Sequence, residues 1–308
     1  MSAVVLFGSF LILLLLSVPI GYAIGISSLI GIYYFSDIPL EIIAQKSITG
    51  VDSFPLLAIP FFMLAGNLMS SGGIAKRLVN FFDSLIGHVN GGLGIVTVIV
   101  CMFFAAISGS AVATVSAVGA FMIPEMVEHG YDKKFSAALT AAAGTIGVII
   151  PPSIPFVIYG VTSGTSITDL FTAGFLPGIM MGVALIIVCW LVSKQKGYKG
   201  KGKRSSLKEI WTSFKDAIWA ILSPVIILGG IYSGLFTPTE AAVVSVVYSF
   251  IVGVFVYKEL NFKGGYKAFK DAVVVNGATT FMVGFSSVFA AFLTMAQIPN
   301  MIANGITN

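Results

Sequence analysis

Three prolines crowd into five residues at Pro151-Pro152-Ser153-Ile154-Pro155, inside the apolar stretch from Ala143 to Gly160. They remove three backbone donors and prevent a continuous helix. Backbone left open in an apolar span is tolerated only where protein buries it or a polar cavity meets it. A broken helix then offers carbonyl oxygens at one broken end, suited to a cation, and amide groups with a positive dipole at the other, suited to a carboxylate. A second interruption, Ile107-Ser108-Gly109-Ser110-Ala111, sits in the middle of the apolar run from Leu93 to Met126. Ser108, Ser110, Thr114 and Ser116 supply hydroxyl oxygens there, and Gly109 permits close approach. The candidate substrate- and ion-binding residues are therefore Ser108, Gly109, Ser110, Thr114, Ser116, Pro151, Pro152, Ser153, Pro155 and Tyr159. Proline kinks and small-residue patches also serve helix packing in membranes, and either motif alone fits that use. Two discontinuities together point to one shared transport site.

The residue types narrow the chemistry. Asp52, Asp83, Glu125, Asp169 and Glu240 all fall near segment ends, whereas proton relays need an ionisable group inside the membrane. Coupling to Na+ through neutral oxygens fits better than coupling to H+, with Ser108, Ser110, Ser153 and nearby carbonyls as ligands. The only arginines, Arg77 and Arg204, lie in polar connections, so helix termini and hydroxyls would meet an anionic substrate. No Walker A sequence is present. An intramembrane serine protease would need a base beside Ser108 or Ser286, but His88 and His129 sit in polar flanks. A channel with a re-entrant pore loop is the stronger alternative to a transporter.

The elements that must position these residues follow from composition. The chain has 308 residues, 57% hydrophobic and 10% charged, against about 25% charged in soluble domains. With a mean hydropathy of +0.99 it reads as an all-α polytopic membrane protein, since the apolar runs far exceed barrel strands. The net charge of +4 comes mostly from Lys194, Lys196, Lys199, Lys201, Lys203, Arg204 and Lys208. That run reads as a cytoplasmic loop (194–208), not a nucleic-acid patch. Cys101 and Cys189 sit in apolar segments and read as inert core thiols. The N-terminal run lacks a basic n-region and reads as a retained first helix.

The first apolar segment, Val4 to Phe35, either spans once with tilt or breaks at Pro19-Ile20-Gly21. Asp37 and Glu41 mark a polar connection. Counted as one crossing, with a second over about Phe54 to Met69 that ends before Lys76-Arg77, the segment places the N-terminus and Lys76 inside and residues 37–52 outside. Residues 74–86 are amphipathic and suit an interfacial helix. Topology then favours a re-entrant hairpin over 93–128 rather than one crossing, with 135–162 going out and 170–192 returning to the basic loop. Residues 207–217 form a second amphipathic candidate, followed by a crossing over 218–232. Thr237 to Glu240 caps a helix to Tyr257, Lys258, Lys263, Lys267 and Lys270 mark the inside, and 272–293 crosses again. The opposed directions of 4–35 and 241–257 are those of inverted-topology repeats.

The order of motifs, Phe54-Pro55-Leu56-Leu57-Ala58-Ile59-Pro60-Phe61-Phe62, Ile107-Ser108-Gly109-Ser110-Ala111, Ile150-Pro151-Pro152-Ser153 and Phe236-Thr237-Pro238-Thr239-Glu240, resembles the large membrane subunit of tripartite ATP-independent periplasmic (TRAP) transporters. The resemblance spans essentially the whole chain. It implies an inverted-repeat, elevator-type secondary transporter driven by Na+, without other cofactors, in a bacterial or archaeal cytoplasmic membrane. The substrate would be an organic acid of the C4-dicarboxylate or sialic acid class. The partners would be an extracytoplasmic binding protein, a small membrane subunit and the lipid bilayer.

By resemblance, Ser108, Gly109, Ser110 and Thr114 correspond to a hairpin tip, and Pro151, Pro152, Ser153 and Pro155 to the break of a discontinuous helix. Residues 74–86 and 207–217 look like arm helices. The expected organisation is scaffold and first arm over 1–92, half a transport domain over 93–165, connecting helices and second arm over 166–235, and the start of a second repeat over 236–308. The family continues into a second hairpin and a second broken helix, which are not found before Asn308. The expectation is a fragment or a chain complemented by another, inactive in transport by itself.

Overall fold

The computed structural model describes residues 2–36, 39–200, 202 and 204–307. Asp37, Lys201, Lys203 and Asn308, which entered the sequence reading, lie outside the described residues. In chain order the helices are α1 (Ser2–Leu15), α2 (Ile20–Phe35), α3 (Glu41–Thr49), α4 (Ala58–Ser71), α5 (Ile74–Ile86), α6 (Gly92–Ser108), α7 (Ala111–Glu128), α8 (Lys133–Gly144), α9 (Ile154–Ser163), α10 (Ile167–Lys196), α11 (Leu207–Tyr232), α12 (Pro238–Ile251), α13 (Phe262–Met295) and α14 (Ile298–Thr307). Short 3-10 turns cover Phe54–Leu57 and Thr145–Val148, and a π segment, Val252–Val256, extends α12. Among the described residues, six helical stretches are long and apolar enough to cross a membrane. The polytopic all-α expectation holds.

The chain divides into two compact units, one built from residues up to Phe54 together with Val273 onward, the other from Pro55 to Ala272.

In the first unit, the apolar run 4–35 does not cross once. Ser17 takes a left-handed backbone (φ 60°) and Pro19 opens α2, so the chain turns back on itself. Leu6 in α1 packs with Ile32 near the end of α2, which makes the two helices an antiparallel pair. The single crossing assumed for the N-terminal topology count is therefore corrected, because a left-handed residue beside a proline ends the helix instead of kinking it. Along α2, Gly25 and Gly31 let the rings of Phe285 and Phe292 approach so closely that a Cβ would lie 2.7 and 2.9 Å from them. Small residues on one helix thus receive an aromatic ridge from the other.

In the second unit, α6 is buried on nearly every side, with only Ile99, Met102 and Phe103 partly outside the core. A helix apolar all round is the natural centre of such a unit. The helices α5, α7, α8, α10 and α11 pack around it. Cys101 and Cys189 are free and buried in this core, as expected. The α4 and α12 helices form a close pair through Ala58, Ile59, Phe62, Ala241 and Ala242. Asn67 Nδ2 on α4 donates to the carbonyl of Ala268 at 3.2 Å, a packing tie.

Caps set the starts. Thr237 Oγ1 accepts from the Glu240 amide while Glu240 Oε2 accepts from the Thr237 amide, and Pro238 occupies the first helical position. The Ser166 hydroxyl caps α10 by accepting from Asp169 N at 3.2 Å, after Gly164 (φ 70°), so Ser163–Ser166 is a turn and cap. The amphipathic helix over 74–86 is present as α5, with Ile74, Ala75 and Leu78 inside and Lys76 exposed.

Residues 207–217 are not a separate helix. They run without interruption into 218–232 as α11, because no glycine or proline stands at the junction where polarity changes. Likewise the crossing read as 272–293 begins ten residues earlier, at Phe262.

Arg77 ties three segments of this unit. Its guanidinium lies 2.8 Å from Glu259 and 3.2 Å from Asp216, and 3.8 Å from the centre of the Tyr257 ring.

Candidate functional site

The helices α6 and α7 lie antiparallel, joined only by Gly109 and Ser110, so residues 92–128 form a helical hairpin. Gly109 makes the turn possible: it sits at φ 62°, which favours glycine. The base of the hairpin is closed by one residue beyond α10. Tyr198 accepts the Gly91 amide on its carbonyl at 3.1 Å, and its hydroxyl accepts the Asp132 amide at 3.1 Å. Its ring stacks on Tyr131 with centroids 4.5 Å apart. Both ends of the hairpin thus meet at the same place, which one crossing over 93–126 would not allow.

At the tip, Thr114 Oγ1 donates to the Ser110 carbonyl at 2.8 Å and shares a 3.1 Å bond with Ser108 Oγ. Ser108 Oγ also reaches the Ser110 carbonyl, at 3.4 Å, so either hydroxyl can supply the proton of the shared bond. The Ser110 hydroxyl caps α7 by accepting from Ala113 N at 3.4 Å. Ser110 and Thr114 are one helical turn apart and so face the same way.

The α8 helix tightens into the turn Thr145–Val148, the chain leaves helical geometry over 149–153, and α9 starts at Ile154. Ser153 bridges this break: its hydroxyl donates to the Val148 carbonyl at 2.6 Å and accepts from Phe156 N at 3.4 Å. The Pro151–Pro152 bond is cis.

The two discontinuities touch. The Ile154 amide donates to the Gly109 carbonyl at 3.1 Å. A Cβ on Gly109 would come 2.8 Å from the Pro152 carbonyl oxygen, and one on Gly147 would come 2.9 Å from both Ser110 O and Thr114 Oγ1. Ser108, Thr114, Pro151, Pro152 and Ser153 are buried, Ser110 is half-buried, and Gly109 is buried with them. Here the C-terminal ends of α6 and of the turn after α8 meet the N-terminal ends of α7 and α9. Oxygen atoms and a positive dipole are therefore brought together without an ionisable side chain among these residues.

Ser116, Pro155 and Tyr159 stand apart from this cluster. All three are exposed, Tyr159 at 59%, on faces of α7 and α9 turned away from the tip. Conversely, two glycines belong to the site that the sequence reading did not single out. Gly147 lets the break approach Thr114, and Gly66 on α4 lets that helix approach Ser108, where a Cβ would lie 2.8 Å from the serine Cβ. Gly147 stands four residues before Pro151, whereas Gly66 lies in a separate apolar segment that only the fold brings to Ser108.

Comparison with known proteins now decides the family. The sequence model of the tripartite ATP-independent periplasmic transporter, DctM component, matches residues 7–308. The chain belongs to this family. It is 43% identical over 302 residues to the isethionate TRAP transporter permease protein DctMQ of Oleidesulfovibrio alaskensis, covering 98% of this chain and 48% of that protein. It is 37% identical over 322 residues to the C4-dicarboxylate TRAP transporter large permease protein DctM of Rhodobacter capsulatus, covering 100% of this chain and 73% of that one. A third relative, the sialic acid TRAP transporter large permease protein SiaM of Vibrio cholerae, is 40% identical over 292 residues, covering 95% and 68%. The chain thus spans about half of the isethionate relative and about seven tenths of the other two. These relatives carry transporter permease names rather than enzyme or channel names, in keeping with the non-enzyme reading of this TRAP family chain.

Proposed function

We propose that this chain serves as the large permease subunit of a Na+-coupled TRAP system that takes up an organic anion across the cytoplasmic membrane. The observation that carries the reading is the hydrogen bond from Ile154 N to Gly109 O, with the Ser108–Thr114–Ser110 cluster and Ser153 beside it. Hydroxyl and carbonyl oxygens are the ligands a hard monovalent cation takes, and they leave the site neutral until the ion arrives. The bound cation and the N-terminal ends of α7 and α9 then favour a carboxylate or sulfonate. Ser108, Ser110 and Ser153 with the carbonyls of Gly109 and Val148 form the proposed cation shell.

The named substrates of the three relatives, isethionate, C4-dicarboxylates and sialic acid, are all organic acids, which supports the substrate class. An extracytoplasmic binding protein would deliver the solute and a small membrane subunit would complete the assembly. In an elevator, the hairpin and broken helix would move as one body carrying the site.

The test is uptake of radiolabelled isethionate, succinate and sialic acid into proteoliposomes. The protein is produced from its natural locus together with any coding sequence that follows Asn308, and with the neighbouring binding protein and small subunit. Uptake that needs inward Na+ and the binding protein, and that falls on Ser108→Ala or Ser153→Ala, is the expected result. Downhill flux that needs neither would replace this reading with a channel.

A further inference from the structure

Within the second unit, an apolar groove of about 720 Å3 lies between α4, α12 and the first turns of α13. Leu64, Val247, Phe250, Val254, Tyr266 and Phe269 are among its walls, and Val247, Phe250, Tyr266 and Phe269 are strongly exposed. It is remote in sequence from the hairpin tip and the helix break, and the transport reading makes no use of it.

The rim beside it is basic. On α13, Phe262, Gly265, Tyr266 and Phe269 follow helical spacing and form the apolar stripe, while Lys263, Lys267 and Lys270 form the stripe next to it. Lys258 precedes the helix, and all four lysines are exposed. Of the two acids in this stretch, Glu259 is held by Arg77 at 2.8 Å, which leaves Asp271 against four lysines. Clusters of lysine immediately cytoplasmic to a membrane span attract anionic lipid headgroups. The apolar cleft beneath them offers acyl-chain contact that a free phosphate could not use, and a partner helix would have to bring its own acids to this rim.

We propose that this groove is a binding site for an anionic phospholipid of the inner leaflet, its acyl chain lying along Phe250 and Tyr266 and its phosphate met by Lys263 and Lys267. The inference does not depend on which solute the chain carries.

The experiment is native mass spectrometry of the detergent-purified chain titrated with POPG or POPC. The wild type is expected to retain POPG in preference to POPC. Exchanging Lys263→Gln together with Lys267→Gln should weaken POPG retention about ten- to thirty-fold, by the usual contribution of two surface lysines. Gly265→Leu fills the groove and should weaken retention of POPG without disturbing the fold, because a Cβ there meets nothing within 4 Å. Lys194→Gln with Lys196→Gln, in the other basic segment, should leave it unchanged. Equal retention of both lipids overturns the proposal. So does POPG retention that survives both groove changes, or that is lost in the Lys194/Lys196 variant instead. A wild-type elution profile for each variant excludes unfolding as the cause.

Discussion

The Ile154 amide donates to the Gly109 carbonyl oxygen at 3.1 Å, which joins the N-terminus of a broken helix to the tip of a helical hairpin. That bond depends on a backbone only glycine adopts easily, since Gly109 sits at φ 62° with the Pro152 carbonyl 2.8 Å from where a Cβ would be.

Gly109→Ala is therefore expected to destabilise the protein more than Gly164→Ala. Gly164 also has a positive φ (70°), but a Cβ there has open space. The comparator loses about 1–2 kcal/mol for the left-handed backbone alone. Gly109→Ala adds a steric conflict that pushes the hairpin tip from the break. Thermal unfolding of the two purified variants measures the difference, and equal melting temperatures would contradict it.

Thr114 separates a binding role from a packing role. Its hydroxyl is buried between Ser108 and the Ser110 carbonyl. Thr114→Val keeps the shape and removes both bonds, at a cost of about 1–3 kcal/mol. Thr114→Ser restores the oxygen and should restore stability in part. Thr114 positions Ser108 and Ser110 of the proposed cation shell, so the wild type and Thr114→Ser should gain melting temperature in NaCl relative to choline chloride, and Thr114→Val should gain less. A gain of equal size in all three would place the cation elsewhere.

Arg77, its side chain 14% exposed, holds Glu259 and Asp216 while its guanidinium rests on Tyr257. Arg77→Lys keeps the charge but not the planar fork that serves two carboxylates at once. We expect it to lose about 1–3 kcal/mol and Arg77→Ala at least as much. A double-mutant cycle with Glu259→Ala should return a favourable coupling, and additive losses would show the pair to be idle.

Tyr131 at the hairpin base gives a pH dependence. Burial pushes its phenol from 10 up to about 12. The folded state thus holds the proton longer than the unfolded chain. Its contribution to stability is complete below pH 10 and is lost as pH rises from 10 through about 12. The melting temperature should fall over that window, and Tyr131→Phe should flatten the fall. An unchanged slope would mean that other groups set the alkaline limit.

Much of the site was legible because its signals are local. Three prolines in five residues forbid a continuous helix across them, and Ser108-Gly109-Ser110 marks an interruption in a long apolar run. The faces were harder. Ser116 is two residues from Thr114, which on a helix points it nearly the opposite way, and Tyr159 turns outward on α9 for the same kind of reason. Proximity in sequence overstated both. Pro19 could kink or end a helix, and the left-handed Ser17 that settles the matter leaves no trace in residue type. The continuity of α11 is not legible at residues 217–218, where a change of polarity resembles the end of a helix. Tyr198 was invisible: an aromatic residue in a run of lysines looks solvated, and only the folded chain shows that it closes the hairpin.

Were the hairpin to rock about the clasp at Tyr198, it would act as a lever with its tip at the far end. With 17 residues in α6 and about 1.5 Å of rise per residue, the arm is about 25 Å long. Ten degrees of rocking at the base would then carry the tip about 4 Å, further than the whole length of the bond between Gly109 and Ile154. The angular tolerance of that fulcrum is therefore only a few degrees before the two halves of the site part company.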